Sequence, residues 1–148
     1  MKAINEMKMQ VDARSINESY MRVAVSAFAA QLDPTVEEIN DIKTAVSEAV
    51  TNCIVHAYKD GPGKIYITVK IFEKGLIEVK IRDRGCGIEN VKKAREPLFT
   101  TGFEDRAGLG FSVMESFMDK LRVNSKMGVG TTVAMKKYIK GKNSYNAA

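Results

Sequence analysis

The chain is poor in the residues that mark specialised folds. Its 148 residues include two cysteines, three prolines, one histidine and no tryptophan. Two cysteines cannot form the disulfide framework of a small secreted domain, and with one histidine they lack the spacing of a zinc site. No apolar run approaches the ~20 residues of a membrane-spanning helix, and the first residues lack the apolar region of a secretory signal. We therefore expect one reduced, cytoplasmic domain over residues 1–148, without a membrane partner.

The net charge of +5 is spread along the chain, with its densest basic stretch at residues 136–142. That stretch lacks the interleaved aromatic residues that stack on bases. A solvated tail explains it better than a nucleic-acid arm. We predict a flexible tail over residues 139–148 and no direct nucleic-acid partner. Phosphate ligands or an acidic protein partner would also suit the positive charge.

The order of hydrophobic patterns predicts an α+β fold. A strand is followed by two helices, two strands, a loop, a further helix and two final strands. Ser15–Glu18 and Thr35–Glu38 have the pattern of capping boxes that start the first two helices. The Ile- and Val-rich runs 64–73 and 76–83 predict a hairpin. We expect an α/β sandwich with helices on one face of a mixed β-sheet.

The second predicted helix carries Glu48 and Asn52, which are four residues apart. Side chains at that spacing project from the same face of a helix. A carboxylate and an amide oxygen side by side can hold Mg²⁺ or orient a nucleophile. A solvated polar face accounts for the same two residues, so the pair alone leaves both interpretations open.

Two glycine clusters follow that helix, and neither has the pattern of a common phosphate-binding loop. The first cluster is Asp83-Arg84-Gly85-Cys86-Gly87. Its carboxylate can accept a hydrogen bond from the exocyclic amine of a purine, and its glycines let the backbone approach the ligand closely. The second, Gly108-Leu109-Gly110, opens a helix whose free N–H groups favour phosphate. Between them lies a segment without periodicity, which is typical of a lid. Arg106 can screen phosphate charge or pair with its acidic neighbours.

The order of these features is more specific than any one of them. A Glu-x-x-x-Asn helix, an Asp-x-Gly-x-Gly turn, a Gly-x-Gly helix start and a final Gly-Thr-Thr strand resemble the ordered boxes of the GHKL ATPase/kinase superfamily. Residues 47–58 resemble its small serine-kinase branch, the bacterial anti-sigma factors. Residues 96–101, together with 108–119, are most similar to the anti-sigma F factors of endospore-forming bacteria. The likeness runs from about residue 17 to residue 138. It implies the GHKL (Bergerat) ATP-binding sandwich.

The resemblance implies an ATP-dependent serine protein kinase that is also an anti-sigma factor. Such a protein binds a sporulation sigma factor, blocks its use by RNA polymerase, and phosphorylates an anti-anti-sigma protein on serine. The alternatives are a sigma-B-type stress-response kinase, an isolated histidine-kinase-like ATPase domain, and a nucleotide-binding module without chemistry. The lid motif at 96–101 disfavours the first, the missing H-box helix pair argues against the second, and the intact Glu48 argues against the third.

The resemblance also implies roles for single residues, with ATP or ADP and Mg²⁺ as cofactors. Glu48 matches the general base, and Asn52 matches the Mg²⁺ ligand. Asp83 matches the contact to the adenine amine, supported by Thr131 or Thr132. The remaining nucleotide-binding positions are Gly85, Gly87, Gly108, Leu109, Gly110 and, within the lid at 95–107, Thr100, Thr101 and Arg106.

The first predicted helix is apolar on more than one side. Between Met21 and Leu32 its one charged residue is Arg22. Apolar side chains form two rows, Met21, Val25, Phe28 and Leu32 in one, Tyr20, Val23, Ala27 and Ala30 in the other. Such a helix needs burial beyond a single core face. A thick core provides it, and so does a homodimer interface with Arg22 at its rim as a partner contact. The resemblance favours a homodimer.

Overall fold

A single antiparallel sheet forms one layer of the molecule. The computed structural model describes residues 2–59, 61–96 and 106–142, without the side chains of 106–109. The strands lie in the order β1-β2-β3-β5-β4. Their bounds are β1 Asn5–Asp12, β2 Lys64–Ile71, β3 Leu76–Asp83, β4 Lys120–Lys126 and β5 Gly130–Tyr138.

The helices form the second layer, on one face of this sheet. They are α1 Ile16–Ala29 with a 3₁₀ turn Ala30–Leu32, α2 Val36–Asn52 with a π-helical turn Cys53–Ala57, α3 Val91–Ala94 and α4 Arg106–Phe117. The predicted α+β class and layering are confirmed. The sheet is not mixed, however, because each ladder among the described residues is antiparallel. None of the described helices is long and apolar enough to cross a membrane.

The core lies between α1, α2, α4 and the inward side chains of the strands. In β2, Ile65, Ile67 and Val69 alternate with partly exposed residues and are at most 1% exposed. They pack with Val46 and Val50, the fully buried row of α2. Burying each such aliphatic side chain stabilises the fold by about 1.5–3 kcal/mol. The same row fixes the face of α2 on which the neighbouring polar residues lie.

The start of α2 is the capping box that the sequence predicts. The Thr35 hydroxyl accepts the Glu38 N–H at 3.1 Å, and the Glu38 carboxylate accepts the Thr35 N–H at 2.9 Å. That carboxylate also accepts the N–H groups of Lys140 and Gly141 at 2.7 and 3.1 Å. Burial raises the pKa of Glu38, but these backbone donors together hold it below its ordinary value.

The predicted capping box at Ser15 is wrong. Ser15 already has helical backbone angles, φ −56° and ψ −33°, and its side chain makes no capping hydrogen bond. A residue in that conformation cannot direct its hydroxyl at the first free N–H groups as an extended cap does. Glu18, the other half of the expected box, lies 3.2 Å from Arg22 and forms an ion pair one turn further on.

The chain beyond β5 is anchored where we expected a flexible tail. Ile139 is 7% exposed, and its N–H donates to the carbonyl of Gly75 at 2.8 Å. The Lys142 N–H donates to the carbonyl of Asp33 at 3.0 Å. Residues 139–142 therefore belong to the packed domain, and the prediction is wrong there. Residues 143–148 lie outside the described residues.

The two apolar rows of α1 have different environments. Met21 and Val25 are fully buried, and Phe28 and Leu32 pack against the same core. The second row, Tyr20, Val23, Ala27 and Ala30, is exposed, with 58% of Tyr20 and 55% of Val23 accessible to solvent. A thick core therefore explains the first row and leaves the second without a partner in the described structure.

Candidate nucleotide and phosphoryl-transfer site

The last turn of α2 brings Glu48 and Asn52 against the beginning of α4. Both are half-buried and face Gly110. A Cβ atom at position 110 would lie 3.2 Å from a Glu48 carboxylate oxygen and 3.4 Å from the amide oxygen and nitrogen of Asn52. The two helices pack this closely because residue 110 has no side chain. The structure therefore brings together three of the residues that the sequence singled out.

Asp83 is a buried carboxylate at the end of β3. It is 5% exposed, and one of its oxygens accepts the N–H groups of Gly85 at 2.9 Å and Thr131 at 3.2 Å. Its other oxygen accepts the thiol of Cys53 at 3.6 Å. Burial raises the pKa of Asp83 above its ordinary value, although these hydrogen bonds oppose the shift. The two N–H bonds fix the orientation of the carboxylate and leave the second oxygen able to accept from a ligand.

Asp83 lines a pocket between α2 and the sheet. The other polar groups in its wall include Asn52 and Thr131, which come from distant parts of the chain. Apolar side chains supply the remaining surface, among them Ala49, Ile88, Phe111 and Val133. A mostly apolar pocket with a few placed polar groups is the usual form of a small-molecule site. An apolar wall beside one carboxylate suits a flat heterocycle that carries an amine.

The first glycine cluster shapes this pocket through close backbone contacts. A Cβ atom at Gly85 would overlap the carbonyl oxygen of Ala57, and one at Gly87 would overlap that of Lys126. Gly87 also has φ +81°, a conformation that side chains disfavour. Both glycines are therefore required where the loop after β3 packs between the π-helical turn and the end of β4. Their contact with a nucleotide stays a prediction.

Asp83 and Thr131 are held in place by residues that the sequence did not single out. The Ser125 hydroxyl lies 2.7 Å from the Thr131 hydroxyl and accepts the Ile88 N–H at 2.7 Å. Ser125 shares the inner face of β4 with Leu121 and Val123, because every second residue of a strand lies on the same side, and this spacing was a usable signal for a polar group on the inner face. Thr132 lies on the other face of the sheet, and it is the backbone N–H of Thr131 that donates to Asp83.

Cys53 and Tyr58 are the other supporting residues. Burial, together with Asp83, raises the pKa of the Cys53 thiol well above its ordinary value, so the thiol keeps the proton that it donates. The Tyr58 hydroxyl accepts the Arg84 N–H and donates to the carbonyl of Lys64, both at 2.6 Å. No local pattern in the sequence indicates either contact, because the partners lie on other elements.

Glu48 also borders a second groove, on the side of α2 that faces α1. Its wall includes Arg22, Lys43, Thr44 and Ser47. Arg22 carries an ion pair with Glu18 but stays partly exposed. Glu48 therefore lies between Gly110 on one side and an open, basic groove on the other.

The second glycine cluster lies inside α4 and not before it. The helix begins at Arg106, two residues before the cluster that was expected to open it. Among the described residues, the N–H groups that a helix starting at Arg106 leaves free are those of 106–108, so Gly108 keeps its N–H free and Leu109 and Gly110 lie beyond these positions. The side chain of Arg106 is not described. Thr100 and Thr101 lie outside the described residues, and their roles stay predictions.

The donor set fits a bound nucleotide and a divalent cation. The amide nitrogen of Asn52 is buried and has no hydrogen-bond partner in the described structure. Leaving such a group unpaired costs about 1–3 kcal/mol, which a ligand at this position would recover. The Asn52 amide oxygen and the Glu48 carboxylate are of the chemical type that Mg²⁺ prefers as ligands.

Sequence comparison matches this chain to a known family over most of its length. The profile of the histidine kinase-like ATPase domain covers residues 10–137. The anti-sigma F factor of Caldanaerobacter subterraneus subsp. tengcongensis is 56% identical over 140 residues, which cover 94% of this chain and 96% of that protein. The anti-sigma F factor of Geobacillus thermodenitrificans is 52% identical over 136 residues, covering 91% and 93%.

Two solved structures share the fold at low identity. The RsbU and RsbW domains of a Mycobacterium tuberculosis protein match with a TM-score of 0.67 and 19% identity, covering 91% of this chain and 32% of that one. The blue-light activated histidine kinase of Erythrobacter litoralis matches with a TM-score of 0.60 and 18% identity, covering 86% and 43%. This chain spans less than half of either solved chain, and the likeness shows the fold alone.

Proposed function

This chain belongs to the histidine kinase-like ATPase domain family and, within it, to the anti-sigma F factors, and we propose that it is an ATP-dependent serine protein kinase that also binds a sigma factor. Its protein substrate is an anti-anti-sigma antagonist. The observation that carries the proposal is the close approach of Gly110 to Glu48 and Asn52, beside the pocket of Asp83.

The pocket residues divide into an adenine end and a phosphate end. Asp83 accepts a hydrogen bond from the adenine amine, while Ile88 and Val133 contact the adenine ring. Asn52 holds Mg²⁺ through its amide oxygen, and the free N–H groups at the start of α4 bind phosphate oxygens. Bound Mg²⁺ would supply neutralisation of the charge that develops on the phosphate oxygens. The protein itself contributes orientation and a site screened from water.

Glu48 acts as the general base for the substrate serine. The serine enters through the groove that Arg22 and Glu48 share, so its hydroxyl meets the carboxylate from the α1 side. Glu48 accepts the hydroxyl proton as the serine oxygen attacks the γ-phosphorus, and ADP leaves as the bond between the γ-phosphorus and the β–γ bridging oxygen breaks. Arg22, at the edge of the same groove, contacts the partner protein. A general base of this kind contributes about 10²–10⁴-fold to the rate.

Replacing Glu48 by glutamine separates binding from chemistry. We expect Glu48→Gln to bind ATP normally and to transfer labelled phosphate to the antagonist at least about 100-fold more slowly, because the amide cannot accept the proton. Glu37→Gln is the matched control, since Glu37 is exposed near the other end of α2. Transfer by Glu48→Gln at the wild-type rate would contradict the role. Acid-labile label in place of phosphoserine would instead favour histidine-kinase-like chemistry.

The exposed apolar row of α1 is the proposed homodimer surface. Phe28 packs against the core, so a charge there would unfold the domain and test nothing about association. Val23→Asp is the better variant because Val23 is 55% exposed, and we expect it to be monomeric in sedimentation velocity at micromolar concentration. Val36→Asp, at a 72% exposed position on α2, should stay dimeric. A dimeric Val23→Asp protein would place the interface elsewhere.

A further inference from the structure

The outer face of the sheet, opposite the helices, gathers much of the positive charge of the chain. Strand alternation and register place six cations on the outer side of β3, β5 and β4, which we call the basic sheet face: Lys80, Arg82, Lys120, Arg122, Lys126 and Lys136. The same surface carries one carboxylate, Glu78. Its net charge of +5 equals that of the entire 148-residue chain.

The cations of this face are only partly neutralised. Glu78 lies 3.8 Å from both Lys80 and Lys136. Among the described residues, no carboxylate lies within 4.0 Å of Lys120 or Arg122. Lys120 is directly opposite Lys136 across the β4–β5 ladder, an arrangement that destabilises a sheet. The other half of the sheet differs, because Glu6 and Asp12 pair with lysines there.

The basic sheet face is concave. A shallow cleft of about 450 Å³ runs over β3, β5 and β4, and Lys80, Lys120, Arg122 and Lys136 lie in its wall. Alternate residues of a strand are about 6.8 Å apart, which is comparable to the distance between successive phosphates of an extended polynucleotide. Asn124 and Thr132 lie beside the cations, and their side chains can form hydrogen bonds with phosphate oxygens or base edges.

We propose that the basic sheet face binds the phosphodiester backbone of single-stranded nucleic acid, which revises the expectation from the sequence that the protein has no direct nucleic-acid partner. The cleft suits a strand better than the flat surface of a membrane, because its wall is mostly charged and polar. An acidic protein partner would call for the apolar centre that protein interfaces contain. The outward positions of these strands are polar apart from Gly130, Ala134 and the Leu76–Tyr138 pair, which lies at one end of the face. Interfaces with nucleic acid are more polar and far more positive.

A single strand fits better than a duplex because a sheet face presents a surface and no element that enters a groove. Antiparallel sheets with helices behind them bind unpaired nucleotides on their open face, where planar groups stack on the bases. Such groups are present at the edge of the face. The guanidinium of Arg84 lies 4.8 Å from the ring centre of Tyr66, and Tyr66 pairs with Arg82 across the β2–β3 ladder.

The test measures anisotropy of a labelled single-stranded oligonucleotide at several salt concentrations. Saturating Mg²⁺–ADP keeps phosphates of the probe out of the pocket at Asp83, so the outcome is independent of the proposed kinase activity. The variant is Lys120→Gln/Arg122→Gln, both exposed positions. The matched control is Lys92→Gln/Lys93→Gln, which removes the same charge from the exposed surface of α3.

We expect salt-sensitive binding by the wild type and by the control. The Lys120/Arg122 variant should bind about tenfold more weakly at about 100 mM salt, and its salt slope should fall by about 1.4, or 0.7 for each lost phosphate contact. No binding by the wild type, or equal binding by the two double variants, would overturn the proposal. Stronger Lys120- and Arg122-dependent binding to phosphatidylserine vesicles or to poly-glutamate, tested alongside, would overturn it in favour of a membrane or an acidic protein.

Discussion

Replacing Gly110 by alanine should stabilise the protein and impair its proposed chemistry at the same time. Gly110 lies within α4, where its backbone is helical and alanine is the better residue. The added methyl group, however, would lie 3.2 Å from a carboxylate oxygen of Glu48 and 3.4 Å from the amide of Asn52. The same added methyl group is therefore expected to raise the free energy of unfolding and to lower the rate of phosphate transfer.

The expected magnitudes follow from those contacts. Glycine in a helix interior costs about 0.8–1.0 kcal/mol relative to alanine, which corresponds to about 3 °C in the unfolding midpoint for a chain of this size. Glu48 and Asn52 are half-buried and can retreat by a few tenths of an ångström, so little of the gain is lost. A displacement of about 1 Å at a reacting group costs about 100-fold in rate, and a retreat of half that distance costs about tenfold.

Thermal unfolding and transfer of labelled phosphate to the antagonist measure the two effects on one preparation. Ser116→Ala is the matched control, because Ser116 is exposed on the same helix and the change improves helix propensity away from the site. The control should be more stable and fully active. If Gly110→Ala kept full activity, the close approach to Glu48 would have no catalytic meaning. If it were less stable than the wild type, Glu48 and Asn52 would be held too rigidly to retreat.

Two further predictions concern titratable groups. Because the pKa of Asp83 is raised and its ionised form accepts the adenine amine, ATP affinity measured by calorimetry should fall on acidification at a pH above the ~3.9 of an ordinary aspartate. Asp83→Asn should bind weakly with a flat profile, and a wild-type profile unchanged down to pH 4 would contradict this role. Glu38→Ala should cost about 2 kcal/mol in denaturant unfolding at pH 7, because three backbone N–H groups lose their acceptor. The pKa of Glu38 is lowered on folding, so its contribution is complete above the unfolded value of about 4.3 and disappears as the pH falls through the folded value. Glu38→Ala should therefore lose less stability than the wild type between about pH 5 and pH 3, with Glu37→Ala as the control.

Local patterns predicted most of the fold because their causes are local. The Thr35–Glu38 box formed as expected, since both of its hydrogen bonds close within one turn. The alternation in β3 gave a strand with the predicted bounds, Leu76–Asp83. The Ser15 box has the same pattern and failed, because the chain enters α1 already in a helical conformation after β1. Which way the chain enters a helix depends on the packing of the preceding element.

The candidate site was predictable in its residue types and order but not in its supports. Glu48 and Asn52 share a helix face by spacing alone, and the geometry brings Gly110 to them. The thiol of Cys53 and the carboxylate of Asp83 are 30 residues apart, and their hydrogen bond depends on how α2 lies across β3.

By itself, the sequence determined the family, the two-layer fold and the ordered motifs of the nucleotide site, because each of these is written in short-range spacing. The tertiary structure decided which apolar row of α1 is buried, where the chain after β5 is anchored, and how the charges are distributed. Cations that are scattered along three strands point to one side because side chains alternate and the ladders are in register. The net charge is a property of composition, whereas its concentration on the basic sheet face is a property of strand pairing.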